Sequence, residues 1–144
     1  MNRRPLHLVL GLMVALAVPG VSSPSAGDGP VLGIELNNAE QTGEACRLSF
    51  MFTNKLDTDL AKLSMQIVVF DRQERIRSLV TLSAGALPRD RHRVRQFDLP
   101  KTACTDVARI LLNDLPVCEG DALDPAGCMS RLETSNRSDI EFIL

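Results

Sequence analysis

The chain has 144 residues, enough for one domain but hardly for two. All 18 acidic residues follow residue 26, whereas two of the 16 basic ones precede it, so the remainder has a net charge of about −4. That sign argues against a nucleic-acid-binding protein, which is usually basic overall. The sequence contains neither tryptophan nor tyrosine, which argues against aromatic platforms that stack sugars or single-stranded nucleic acids.

The N-terminus has the three parts of an export signal. Arg3 and Arg4 supply positive charge, residues 8–18 form an apolar stretch, and residues 22–26 offer small side chains for cleavage. The apolar stretch is shorter than the roughly 20 residues that a membrane-spanning helix needs. We therefore predict a signal peptide over residues 1–26 and no transmembrane segment in the mature protein.

The export route stays open between two pathways. The Arg3-Arg4 pair fits a twin-arginine (Tat) signal, which carries folded proteins, but the Pro5 and His7 that follow are unusual in such signals. Ordinary export of the unfolded chain is the alternative. No cysteine precedes Cys46, so no lipid anchor is expected. The sequence thus predicts a single mature domain, residues 27–144, that is periplasmic or secreted.

The cysteine count agrees with export. The mature segment contains four cysteines, Cys46, Cys104, Cys118 and Cys128. An even number in an exported chain indicates two disulfides, for which three pairings are possible. We predict Cys46 with Cys104 and Cys118 with Cys128, the second pair closing a loop rich in turn-forming residues. No Cys-x-x-Cys motif is present, which argues against a thioredoxin-like redox function.

Alternating apolar and polar residues predict the fold. Residues 45–54 place a cysteine, a leucine and two phenylalanines at every second position, the period of a strand with one buried face. Similar runs predict further strands at residues 31–36, 63–71, 76–82, 92–99, 107–113, 129–135 and 140–144. Seven or eight short strands separated by turns favour an all-β, antiparallel, immunoglobulin-like β-sandwich. The five phenylalanines are expected in its core.

Four details of these strands are specific predictions. The alternation slips near Gln96, which predicts a β-bulge. Residues 107–113 fit either a helix face or a strand, and the strand is favoured because the apolar run is short. Ile76 is expected to face the core. Residues 136–139 are expected to turn the last two strands into a hairpin.

The mature sequence offers little for catalysis, so no enzyme activity and no cofactor is expected. It has no Gly-x-Ser-x-Gly motif, and His92 is its one histidine. A copper or small-molecule carrier is an alternative function, with His92 and the methionines Met51, Met65 and Met129 as soft ligands. Methionine more often fills gaps in a core, and no metal site is predicted.

Two pairs of aspartates lie in predicted loops. Asp57 with Asp59, and Asp121 with Asp124, have the oxygen ligands that calcium prefers. Neither pair has the full spacing of a calcium-binding loop. Solvated loop acids are therefore the favoured interpretation.

The most unusual pattern is a run of arginines at every second position, Arg89, Arg91, Arg93 and Arg95. On an extended chain these side chains project from one face about 7 Å apart. Arg75 and Arg77 are expected beside them in a hairpin. Such a basic strand is suited to bind an acidic envelope protein or another anionic surface through forked hydrogen bonds. The alternative, which is favoured, is a solvated strand face whose charges discourage edge pairing.

Several segments resemble a small family of exported bacterial proteins described as Tat pathway signal sequence domain proteins. The resemblance rests on the four cysteines and on the motifs Phe97-Asp98-Leu99-Pro100 and Leu111-Leu112-Asn113-Asp114. It implies an extracytoplasmic compartment and a disulfide-bearing domain. It implies no activity.

Overall fold

The computed structural model of the protein describes residues 29 and 31–144, so the predicted signal peptide and the cleavage site lie outside the described residues. The described chain forms eight strands: β1 (Leu32–Thr42), β2 (Ala45–Asn54), β3 (Leu60–Asp71), β4 (Ile76–Leu87), β5 (His92–Leu99), β6 (Val107–Gly120), β7 (Leu132–Asn136) and β8 (Glu141–Ile143). A 3₁₀ turn (Cys104–Asp106) precedes β6, and a short helix α1 (Pro125–Met129) precedes β7. Within this part of the chain no helix has the length and apolar character of a membrane span.

Two four-stranded sheets pack face to face. The first has the order β5-β2-β1-β7 and the second the order β4-β3-β6-β8. Neighbouring strands are antiparallel except in the pairs β1–β7 and β6–β8, which are parallel. The predicted all-β sandwich is therefore confirmed, with eight strands.

The alternating pattern of each strand accounts for the core. Phe50 and Phe52 of β2 are fully buried, as are the inward residues Met65 and Ile67 of β3. The Phe50 ring meets the Phe142 ring of the second sheet edge to face, at 5.5 Å between centroids. Such contacts join the two sheets and bury the apolar side chains, which is the main favourable term in folding.

Both predicted disulfides are present. Cys46 of β2 is bonded to Cys104 in the 3₁₀ turn, which ties the first sheet to the start of β6. Cys118 of β6 is bonded to Cys128 in α1. Disulfides of this kind are typical of proteins outside the reducing cytoplasm.

Several strands continue beyond the residues where the sequence predicts their ends. β1 passes Asn37 through a shift of register between Leu36 and Asn38. β4 passes Gly85, which adopts a positive φ of 73° where the register with β3 also shifts. Bulges thus absorb residues that look like strand ends. The segment at residues 107–113 is a strand, as favoured, and extends to Gly120.

Two predictions about individual strands are wrong. β2 and β5 align through eight consecutive pairs, so there is no bulge at Gln96. The apparent slip arises because inward positions of β5 hold arginines. Ile76 is 68% exposed, because a register shift between Val69 and Phe70 pairs it with Phe70. Phe70 in turn lies under Arg109, outside the core.

The prediction that residues 136–139 join the last two strands in a hairpin is also wrong. β7 joins the first sheet beside β1, whereas β8 joins the second beside β6, so residues between them cross from one sheet to the other. The helix α1 lies in the turn-rich loop that the Cys118–Cys128 disulfide closes, and it includes Met129, where the sequence predicts the start of a strand. Asp124 caps it, since its Oδ1 accepts a hydrogen bond from the Gly127 N–H at 2.8 Å, and Pro125 fits the first helical turn.

Candidate functional site

The arginine-rich segment lies along one side of the sandwich. β5 is an edge strand of the first sheet and β4 an edge strand of the second, so the two do not form the expected hairpin. They face each other across the opening between the sheets, where the Arg95 Nε donates to the Ala84 carbonyl of β4 at 3.1 Å. We call this opening, bordered by Arg93 and Arg95 of β5 and by Arg77 and Lys101, the β4–β5 seam.

Two of the predicted arginines lie on the inner face of β5. Arg93 and Arg95 are half-buried and alternate with the exposed Val94, which is 58% accessible. They share their face with Phe97 and with Leu99, which is buried in the core. Inward side chains at the edge of a sandwich reach solvent through the opening between the sheets. The guanidinium groups therefore border the seam instead of the solvated outer face.

The inward arginines have few acceptors. Arg95 donates to Ala84 O and, through Nη1 at 3.3 Å, to the carbonyl of its neighbour Val94. The Arg93 Nε is buried and has no hydrogen-bond acceptor among the described residues. The Arg109 Nε on the second sheet is in the same state, so this donor alone does not indicate a ligand. Neither Arg93 nor Arg95 pairs with a carboxylate of the described residues, which leaves their positive charge available to an anion at the seam.

The other end of the seam is also cationic. Arg77 donates through Nη2 to the Lys101 carbonyl at 3.1 Å and lies 3.7 Å from the carboxylate of Asp106. A depression of about 320 Å³ opens here between the two sheets, lined by Arg77, Lys101 and the apolar side chains of Val80 and Leu99. Cationic and apolar groups thus lie side by side at this end.

The remaining predicted arginines lie apart from the seam. Arg75 pairs with Asp71 in the β3–β4 turn, and backbone N–H donation from Arg75 lowers the pKa of the Asp71 carboxyl. Arg89 and Arg91 precede β5, where both are exposed. The structure therefore places only Arg93 and Arg95 of the alternating run within β5, and Arg77 lies at the other end of the seam beside Lys101.

Three of the four aspartates considered as calcium ligands line one depression. Asp57, Asp59 and Asp121 line a depression of about 430 Å³ with Arg89. The Asp59 Oδ1 already accepts a hydrogen bond from the Arg89 backbone N–H at 2.7 Å. In the described part of the chain, no three or more His, Cys, Asp or Glu side chains are grouped so as to hold a metal ion.

The residues suggested for copper lie in different places. Met65 is fully buried in the core, and Met129 packs against the core from α1. Met51 lies on the outer face of the first sheet, opposite Val94. His92 is exposed, with its Nδ1 at 2.9 Å from the Thr53 hydroxyl.

Cross-strand bonds hold β5 against β2 on the outer face. Arg47 makes two hydrogen bonds to Asp98, at 2.7 and 2.9 Å, and this contact holds the pKa of the Asp98 carboxyl below its usual value. The Gln96 side-chain amide donates to the Ser49 hydroxyl at 3.1 Å. Together with the His92 contact, these bonds stabilise the pairing of β5 with β2.

The outer edge of β5 has backbone groups that pair with no other strand in the described part of the chain. The Asn54 N–H donates to the Arg91 carbonyl at 3.0 Å at the start of the β2–β5 ladder. Antiparallel strands bond at every second pair from such a point. The backbone groups of Arg93 and Arg95 therefore face β2, and those of Val94 and of the residues two apart from it face outward. The bond from the Arg95 side chain to Val94 O agrees with this.

The second sheet also has an apolar outer row that the sequence pattern does not indicate. Val68 lies between Leu79 and Leu111, and Leu111 lies beside Ile143. Leu79 is 57% exposed. Directly opposed residues share one face of a sheet, so these four side chains form a line across all four strands. Only the register between strands shows this.

Comparisons with family models, with curated proteins and with solved structures find no match to this chain.

Proposed function

We propose that this protein is an exported, non-enzymatic binding module of the cell envelope, periplasmic or secreted, that contacts an anionic component through the β4–β5 seam. The Tat family resemblance and the N-terminal pattern support export, and the two disulfides support an oxidising compartment. A binding role is consistent with a mature sequence that contains no evident nucleophile and base.

One observation carries the binding proposal. Arg93 and Arg95 project from the inner face of an edge strand into the seam, on a protein whose mature chain is acidic overall. Inward-pointing charges discourage edge pairing, which explains their presence without any ligand. Binding is favoured because no carboxylate of the described residues pairs with Arg93 or Arg95, whose side chains bond only backbone carbonyls where they bond at all, and because Lys101 and Arg77 carry further positive charge at the other end of the seam.

Binding of defined anions tests the proposal. Protein with both disulfides formed is titrated with polyglutamate, inorganic polyphosphate and phosphatidylglycerol vesicles. We expect at least one to bind, and the variant Arg93→Gln/Arg95→Gln to bind it roughly tenfold or more weakly, since each charged hydrogen bond contributes about 1.5–3 kcal/mol.

A matched control variant removes two positive charges at positions away from the seam. Lys62 lies on the exposed side of β3, where it pairs with Glu119, and Arg131 is exposed before β7. The variant Lys62→Gln/Arg131→Gln should bind as the unmodified protein does. Equal losses in both variants would mean that overall charge, and not the seam, controls binding, and no binding of any probe would contradict the proposal outright.

A further inference from the structure

We infer that the anionic partner is an extended acidic segment of another protein, which adds to the free edge of β5 as a fifth strand of the first sheet. This inference rests on the proposed function, because it names the ligand of the same seam. It is supported by the shape of the edge, by the direction of its backbone groups and by the charges beside it.

The four sheet edges differ in how they discourage another strand. β7 and β8 have only five and three residues. β4 is longer, but its register with β3 shifts at three places. Short and bulged edges are poor templates for pairing. β5 has eight residues without proline and an unbroken register, so it is the one long and regular edge of the described chain.

This edge is also arranged for backbone hydrogen bonds. The outward backbone groups belong to His92, Val94, Gln96 and Asp98, and the side chains of three of them are bonded to β2. An incoming strand would meet donors and acceptors that are already ordered, which lowers the entropy cost of binding. Strand addition at such an edge gains affinity from the main chain and specificity from alternate side chains.

The inward arginines determine which strand is accepted. A fifth strand would place alternate side chains into the seam beside Arg93 and Arg95. Apolar or basic side chains there would bury guanidinium groups without partners, whereas carboxylates would form charge-assisted hydrogen bonds. The Arg95 Nη1 now reaches Val94 O, an outward carbonyl that an incoming N–H would need. A carboxylate on the incoming strand would accept a hydrogen bond from Arg95 in place of the Val94 carbonyl. That carbonyl would then be free to accept the incoming N–H.

The next inward positions call for a different side chain. Phe97 and Leu99 follow the arginines on the same face, and Leu99 lines the apolar side of the depression near Lys101. The segment should therefore have two carboxylates at alternate positions and an apolar residue at the next alternate position. The seam therefore predicts the order of side chains in the bound segment as well as its negative charge.

Synthetic peptides test the inference directly. The first is eight residues long, the length of β5, with glutamate at two alternate positions, valine at the next and threonine elsewhere. The second carries N-methyl groups on the amides that would bond to the edge, and the third has glutamine for glutamate. Each is fluorescently labelled and titrated with the disulfide-bonded protein, and polyphosphate is titrated in parallel.

We expect the first peptide to bind and both altered peptides to bind roughly tenfold or more weakly. Its binding should slow hydrogen exchange at the amides of Val94 and Gln96, and Arg93→Gln/Arg95→Gln should weaken it. Equal binding of the N-methylated peptide, or Arg93- and Arg95-dependent binding of polyphosphate without the peptide, would overturn strand addition and leave the proposed function standing. If neither peptide nor polyanion binds, both fail.

Discussion

We expect Asn54 to contribute more to the stability of the contact between the two sheets than any other polar side chain. It lies at the end of β2 and is fully buried. Its amide nitrogen donates to the carbonyls of Thr58 and Leu87, and its oxygen accepts from the Leu56 N–H, all at 2.9 Å. Because Leu87 ends β4, one side chain connects the first sheet, the β2–β3 loop and the second sheet.

Replacing Asn54 by alanine would leave three backbone groups without these partners. Each buried unsatisfied group costs about 1–3 kcal/mol, and some relaxation is expected, so we predict a loss of about 3 kcal/mol. That is a large part of the roughly 5–15 kcal/mol by which such domains are stable. The melting temperature should fall by about 12 °C, at about 4 °C per kcal/mol for a domain of this size.

Urea unfolding followed by circular dichroism, with both disulfides intact, measures this loss. The control is Asn113→Ala, since Asn113 is exposed and, among residues 31–144, its amide bonds only the Gln66 side chain. This variant should cost about 0.5 kcal/mol or less. A loss below about 1 kcal/mol for Asn54→Ala, or equal losses for the two variants, would refute the reasoning.

A third variant separates hydrogen bonding from shape. In Asn54→Asp a carboxylate would face two carbonyl oxygens, so its pKa in the folded protein should lie above that in the unfolded chain. The folded state is then favoured at low pH and loses stability as pH rises through the folded pKa. Asn54→Asp should therefore be more stable at acid pH, relative to the unmodified protein, than at neutral pH.

Two further predictions concern the disulfides and Glu35. Replacing both cysteines of the Cys46–Cys104 bridge by alanine should lower the free energy of unfolding by about 4 kcal/mol, and the same change at the Cys118–Cys128 bridge by about 3 kcal/mol. The first loss is larger because that bridge spans 58 residues and the second spans 10. Urea unfolding measures both losses, and the reverse order would contradict the prediction. The pKa of Glu35 is lowered, chiefly by a hydrogen bond from Asn37. Its contribution is therefore present above its unfolded pKa and lost as pH falls through the folded pKa. The stability difference between Glu35→Gln and the unmodified protein should shrink on acidification, and a constant difference from neutral to acid pH would count against this role.

Much of the fold is predictable from local pattern. Residues 45–54 are β2 with the predicted bounds, and residues 92–99 are β5, because a single buried face imposes a period of two on each strand. The disulfides are predictable in number from the cysteine count. The strands continue past Asn37 and Gly85 because partner strands supply hydrogen bonds on both sides of a bulge, which no local pattern reveals.

The candidate site is predictable only in part. The sequence identifies Arg93 and Arg95 as unusual, but it places them on a solvated face beside Arg75 and Arg77. Their inward direction becomes apparent only when β5 is aligned with β2, so that Phe97 and Leu99 point into the core with them. The free edge is visible only when β4 is assigned to the other sheet.

The amino-acid sequence by itself determined that this chain makes short strands, each with one apolar face, and that its four cysteines pair, because both follow from nearest neighbours and composition. Only the tertiary structure decided which sheet each strand joins, as in the separation of β7 from β8. Hydrogen bonds between strands join residues far apart in the chain, and the same alternating pattern is compatible with several partners. Which strands become edges, and hence where an inward arginine can reach water, depends on that choice.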